Sequence, residues 1–150
     1  MKTSQLIIRE AEYEDEYTVY QMICDLESDV LNRANFQQIF RINCASDYIT
    51  CFIAELEGAA VGMVSCHIQS LLHHAALVAE IQEMFVDPKF RSHQIGSALM
   101  RRVVDFAKGK GAIQLEVTSR ATRVRAHRFY EREGFEKSHV KLVRYFGDKQ

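Results

Sequence analysis

The chain has 150 residues, 47% of them hydrophobic and 26% charged, with 19 Lys and Arg against 20 Asp and Glu for a formal net charge of −1. This balance excludes disordered and collagen-like chains, and it excludes a uniformly basic nucleic-acid binder. It also conceals a split, because Met1 to Ala79 carries net −7 and Glu80 to Gln150 net +6, so the second half is the half suited to a polyanion.

A chain of this length buries about 68–70% of the surface its unfolded form exposes, enough for a core without metal or disulfide staples, and one domain over residues 1–150 is expected. Cys24, Cys44, Cys51 and Cys66 include no C-x-x-C pair and read as reduced thiols. Met1 to Gln5 runs directly into Leu6-Ile7-Ile8 with no signal-peptide pattern. Gly58 to Ala79 lacks charged residues, but Ser65, His67, Gln69, Ser70, His73 and His74 interrupt it, so it is not a membrane span. A soluble, cytoplasmic protein is expected.

In chain order, Leu6 to Glu10 is a short strand. An acidic run from Glu12 leads into Val19, Met22, Ile23, Leu26 and Val30 at helical spacing, which predicts a helix over 14–29. A second helix is predicted over 35–42. Tyr48 to Leu56 and Ala60 to Gln69 are strands joined by the hairpin signal Glu57-Gly58. Leu77 to Val86 is a strand stopped by Asp87-Pro88. Ile95 to Lys108 is an amphipathic helix, Ala112 to Thr118 a strand, Arg125 to Glu133 a helix ended by Gly134, and Val140 to Phe146 a last strand. The order β-α-α-β-β-β-α-β-α-β argues for an α/β (α+β) domain with a mixed sheet.

The chemistry concentrates in Glu80 to Met100, a strand, a proline-marked turn and a helix with Gly96 just inside it. Such a turn aims backbone N–H groups and the positive end of a helix dipole at one spot, which suits a phosphate or pyrophosphate. An ordinary strand-to-helix connection would have the same spacing.

The segment resembles motif A of the GCN5-related N-acetyltransferase superfamily, Q/R-x-x-G-x-G/A, and Ala126 to Phe135 (AHRFYEREGF) resembles its motif B. His73-His74, Glu80 to Glu83, Ala126 to Tyr130 and Arg132 to Gly134 are together most similar to the aminoalkylphosphonate N-acetyltransferases. The resemblance implies a mixed, largely antiparallel sheet of six to seven strands flanked by helices, with an acetyl-CoA slot between splayed fourth and fifth strands. It implies transfer of acetyl from acetyl-CoA to the primary amine of a small molecule, 2-aminoethylphosphonate or a relative, by direct attack on the thioester. It also implies a homodimer and a divalent metal. The cofactor contacts it implies are Met84, Phe85, Val86, Arg91, Ser92, His93, Gln94, Ile95, Gly96 and Ser97. Gln94 departs from the pattern, standing where the family has its first glycine, and is tolerable there with helical backbone angles.

A primary ammonium has a reference pKa near about 10.4, so a base must take its proton. Glu80 and Glu83 are the candidates; alternation along a strand aims them at opposite faces. Glu80 is favoured as base, directly or through a water, and Glu83 is a substrate contact or a structural carboxylate. Tyr130 matches the family tyrosine that acts as general acid on the CoA thiolate. His73 and His74 are exposed loop histidines, donors to a phosphonate, or with Glu80 ligands of a cation. Arg120, Arg123, Arg125, Arg128 and Arg132 meet CoA phosphates or form a solvated helix face; without an aromatic platform they do not read as a nucleic-acid surface. A polyamine, aminoglycoside or amino-acid-like amine is the alternative acceptor, and a non-catalytic acyl-CoA-binding module the alternative of another class.

Overall fold

The computed structural model describes residues 5–147 apart from the side chain of Ser92, so the expected cofactor contact through that side chain lies outside the described residues. The chain divides into two compact units, Met1–Val117 and Thr118–Gln150.

In the first unit, β1 (Leu6–Glu10) is followed by a 3-10 turn at Tyr13–Asp15, α1 (Glu16–Glu27), α2 (Arg33–Cys44) and the hairpin strands β2 (Ile49–Leu56) and β3 (Ala59–Leu71). A 3-10 turn at Leu72–His74 leads to β4 (Ala76–Val86), another at Pro88–His93 leads to α3 (Ile95–Gly109), and β5 (Leu115–Val117) closes the unit. The sheet order is β1-β2-β3-β4-β5. The first three pairings are antiparallel, and β4 pairs with β5 in parallel, α3 forming the crossover that a parallel connection requires.

Ion pairs fix the helical layer on one side. Arg9 bonds both Asp15 oxygens at 2.7 Å and also holds Glu55, tying β1 to the turn before α1 and to β2. Asn32 caps α2 by accepting from the Asn35 amide at 2.8 Å. Arg33, next in sequence, forks onto the buried Glu16 carboxylate and lies over the rings of Tyr17 and Tyr20. Beneath, Val19, Met22, Ile23 and Phe40 pack on Ile53 and Met63 of the sheet.

The opposite sheet face is covered by α3, whose Ile95, Leu99, Val103 and Ala107 are buried at the spacing that predicted the helix. Gly62 permits its close seating, since a Cβ there would lie 2.8 Å from the Phe85 carbonyl oxygen and 3.4 Å from Ile95 and Leu99 side-chain atoms.

The second unit contains α4 (Val124–Arg132). The Phe135 amide bonds the Tyr130 carbonyl and the Gly134 amide the Glu131 carbonyl, with Gly134 at φ +97, so the helix ends in a Schellman motif. The Phe135 and Tyr130 rings meet edge to face at 5.7 Å across that cap. The conformational demand explains the Gly-Phe ending of the sequence motif.

The strand expected over Val140–Phe146 is not formed, and the sheet has five strands among the described residues instead of six to seven. Strand propensity is a fit to a pleated, half-buried surface and not an intrinsic backbone preference, so the apolar composition of residues 140–146 does not by itself make a strand.

Candidate active site

The register of β3 on β4 decides which side chains share a face. Ser65 pairs with Glu83, Cys66 with Ile81 and His67 with Glu80, so Gln82 is an extra residue on β4. This β-bulge reverses the parity expected from simple alternation. Ser65 and His67 lie two apart on β3 and share a face, and their partners Glu83 and Glu80 therefore share it too. The expectation of opposite faces is corrected.

That face bounds a cavity of about 400 Å³ lined by residues of α1, α2 and the sheet, including Phe36, Phe40, Cys51, Met63, Ser65 and Glu83. Glu83 is in the wall, whereas Glu80 is not. The Glu83 carboxylate accepts from Ser65 Oγ, and the Glu83 amide donates to the same oxygen at 3.0 Å. Glu80 accepts from Gln82 Nε2 at 3.1 Å and lies beside Glu116 of β5 in the register. Burial pushes the neighbouring Cys51 thiol up to about 12, so it stays protonated and contributes no thiolate to the wall. Glu10, Asp47 and Lys110 bring further charge to the lining. Ser65, Cys51 and Lys110 were not anticipated as site residues; no local pattern marks them, and only the strand register and helix seating bring them to the cavity.

The pairing of β4 with β5 runs only from Ala79 with Leu115 to Ile81 with Val117. Beyond it β4 continues five residues to Val86, so Met84, Phe85 and Val86 lie where the two strands have ceased to pair, the slot expected between them. Asp87 then caps the turn, its carboxylate accepting from the Lys89 amide at 3.0 Å. Arg91 and His93 are exposed at the end of this turn, and His93 Nδ1 lies 3.2 Å from the Phe90 carbonyl oxygen. Gln94 sits at φ 57, ψ 29. This is the left-handed region, correcting the expectation of helical angles: the position keeps the conformation a glycine would favour, with a side chain that must bear it. The α3 ladder opens with the Ala98 amide on the Gln94 carbonyl, placing Ile95, Gly96 and Ser97 in the first turn with the positive dipole end.

His73 and His74 stand in the turn before β4 with ring centroids 4.3 Å apart. Glu80 lies four residues up β4 from Ala76, about 13 Å at the rise of a strand, and the expected trio with the two histidines does not assemble. No three His, Cys, Asp or Glu side chains among the described residues are grouped to hold a metal ion, so the residues do not fit the implied divalent cation.

In the second unit, Tyr130 is half-buried on α4 between Phe129 and Phe135. Burial raises its phenol above the ordinary value of 10.0, with Arg123 opposing, so it holds its proton throughout the neutral range. Arg123 is the residue capping α4, and Arg120, Arg125, Arg128 and Arg132 are exposed.

Residues 10–135 match the model of the acetyltransferase (GNAT) family. The chain belongs to that family. An aminoalkylphosphonate N-acetyltransferase from Salmonella typhimurium is 37% identical over 137 residues, 91% of this chain and 89% of that one. An aminoglycoside N-acetyltransferase solved in complex with CoA superposes with a TM-score of 0.88 at 17% identity, covering 98% of each chain. A glucosamine-6-phosphate N-acetyltransferase from Arabidopsis thaliana gives 0.79 at 21% identity, over 95% of this chain and 99% of that one. The chain is thus an acetyl-CoA-dependent N-acetyltransferase with the α+β fold of its family. Among the described residues no helix is long and apolar enough to cross a membrane.

Proposed function

We propose that this acetyltransferase acts on a small aminoalkylphosphonate, 2-aminoethylphosphonate being the simplest, and that Glu83 is the base. The observation carrying the base assignment is the Glu83 carboxylate in the cavity wall, oriented by Ser65 at a bulge of β4. Similarity to the Salmonella typhimurium enzyme over nearly the whole chain supports the acceptor. Glu83 takes a proton from the ammonium, and the freed amine attacks the thioester carbonyl carbon. Backbone N–H groups from Met84 to Val86 stabilise the oxyanion as it forms. The C–S bond then breaks, Tyr130 donates its proton to the departing CoA thiolate, and the second proton shed by the acylated nitrogen restores the phenol, while Glu83 releases the first to solvent. The first turn of α3, with the preceding Arg91 and His93, holds the pyrophosphate. Glu80 is the alternative base, acting through a water. His73 and His74, in the turn before β4, are the proposed contacts for the phosphonate. No step is routed through a metal.

The proposal extends to one functional domain over residues 1–150, acting in the cytoplasm as a homodimer. A polyamine acceptor is the second reading, favoured by the charge of the cavity lining, where Glu10, Asp47 and Glu83 face one cation, Lys110. Thiol release from acetyl-CoA, measured with 2-aminoethylphosphonate, a polyamine, an aminoglycoside and an amino acid, with and without chelator, tests these readings. Highest kcat/KM with 2-aminoethylphosphonate is expected. Turnover confined to polyamines would overturn the acceptor, and loss of turnover with chelator would overturn the metal-free scheme.

A further inference from the structure

The cavity is larger than the simplest acceptor needs. At about 30 Å³ per heavy atom, 2-aminoethylphosphonate occupies about 200 Å³, half of the cavity's 400 Å³. The strands set its length. Glu83 pairs with Ser65 and Ser65 with Cys51, so Glu83 lies two ladders from Cys51, about 10 Å away. Tyr48 lies about 10 Å further along β2, three residues before Cys51, and its carbonyl extends the ladder by accepting from the Ile68 amide at 2.7 Å. Glu83 and Tyr48 are thus about 14 Å apart. Phe36, Phe40 and Met63 make part of the wall apolar. At the Tyr48 end the lining carries Lys110, half-buried. Its ammonium lies 5.5 Å from the centroid of the Tyr48 ring and 5.7 Å from that of Phe106, and it joins none of the ion pairs among the described residues. The rings hold the charge in place without neutralising it. Glu10 and Asp47 also line the cavity, but both are exposed, where water screens them.

We propose that Lys110 determines specificity by binding the anionic end of a longer acceptor, an ω-aminoalkylphosphonate of about six methylenes whose amine lies at Glu83. An extended chain advances about 3.5 Å per three bonds, which is the whole distance from nitrogen to phosphorus in 2-aminoethylphosphonate. That molecule, held at Glu83, falls short of the Tyr48 end. Six methylenes span about 8 Å, and a charge-assisted hydrogen bond of about 2.8 Å at each end extends the reach to about 14 Å. The methylenes replace water along the apolar wall, and the phosphonate supplies the countercharge that Lys110 lacks. The inference rests on the aminoalkylphosphonate reading above, with Glu83 as base, and adds to it the length of the chain and the residue that measures it.

The test uses the full chain and measures thiol release from acetyl-CoA with 2-aminoethyl-, 4-aminobutyl- and 6-aminohexylphosphonate, with hexylamine and with 1,6-diaminohexane. In the wild type kcat/KM should be higher for 6-aminohexylphosphonate than for hexylamine or the diamine. Lys110→Met keeps the apolar stem and removes the charge. It should lower the preference for 6-aminohexylphosphonate over hexylamine about 10-fold, through KM rather than kcat, as for a hydrogen bond to a charged group. Lys110→Arg should restore most of that preference. A merely structural role would move both acceptors together and leave the ratio unchanged, which would overturn the inference. Turnover of 2-aminoethylphosphonate with an unchanged ratio would retain the acceptor class and overturn only the role of Lys110. A wild-type preference for 1,6-diaminohexane, increased by Lys110→Met, would assign the far end to Glu10 and Asp47 and overturn the anionic acceptor. Absence of turnover with every phosphonate would overturn the acceptor class itself.

Discussion

Ser65 and Glu83 hold each other twice across the β3–β4 ladder: the Ser65 hydroxyl donates to the Glu83 carboxylate and accepts from the Glu83 backbone amide at 3.0 Å. The bulge at Gln82 makes this pairing possible, because without the extra residue Glu83 would face α3 instead of the cavity. A carboxylate held in one rotamer by a buried hydroxyl is oriented for proton transfer at no further entropic cost.

Glu83→Gln should therefore lower kcat/KM by about 10²–10⁴-fold at neutral pH, the range contributed by a general base. The deficit should shrink as pH approaches the amine's own pKa of about 10, where the acceptor sheds its proton unaided. Glu80→Gln should change kcat/KM only a few-fold. The reverse ranking in steady-state pH profiles would transfer the role to Glu80.

Tyr130→Phe is expected to lower kcat while leaving CoA affinity, measured by calorimetry, nearly unchanged. The phenol lies above its ordinary value of 10.0, so the alkaline limb that its ionisation imposes on kcat belongs above pH 10 in the wild type and should vanish in the variant. An unchanged kcat would remove the acid role.

Gly62→Ala places a methyl 2.8 Å from the Phe85 carbonyl oxygen, a backbone atom that cannot swing aside. The expected cost is about 1–3 kcal/mol in chemical denaturation, as for overpacking. Because Phe85 borders the β4–β5 opening, KM for acetyl-CoA should rise as well.

Gln94→Gly should stabilise the fold by about 0.5–1 kcal/mol. Relief of left-handed strain, about 1–2 kcal/mol, exceeds the unfolded-state entropy a glycine adds, about 0.5–1 kcal/mol. Gln94→Val should destabilise by more than about 1 kcal/mol, since a β-branched side chain fits φ 57 poorly. Equal stability of the three chains by thermal unfolding would show that the turn relaxes.

Arg9 holds the Asp15 carboxyl below its ordinary value of 3.8, chiefly through their hydrogen bonds. The unfolded chain thus takes up the proton at higher pH than the folded one. The stabilisation is fully present above pH 3.8 and is lost as pH falls through the folded value. The stability difference between wild type and Asp15→Asn should be flat from neutral pH to about pH 5 and narrow below pH 4. A difference independent of pH throughout would show that the pair contributes nothing through ionisation.

The sequence by itself determined the local elements: the amphipathic stripe of α3, the strand ended by Asp87-Pro88, the Glu57-Gly58 hairpin and the Gly134-Phe135 ending of α4. Each depends on contacts or dihedral demands within a few residues, so spacing and residue type record it. The motifs around Gly96 and Tyr130 were legible for the same reason. Tertiary structure alone decided that Glu83 shares a face with Glu80, that Ser65 orients it, and that Gln94 rather than a glycine takes the left-handed turn. It also decided that residues 140–146, strand-like in composition, form no strand among the described residues. These features rest on register, on a bulge set by the partner strand and on backbone angles fixed by the surrounding fold. A single chain's local pattern does not encode them, because the physical term that selects each is a hydrogen bond or a packing contact made far away in sequence.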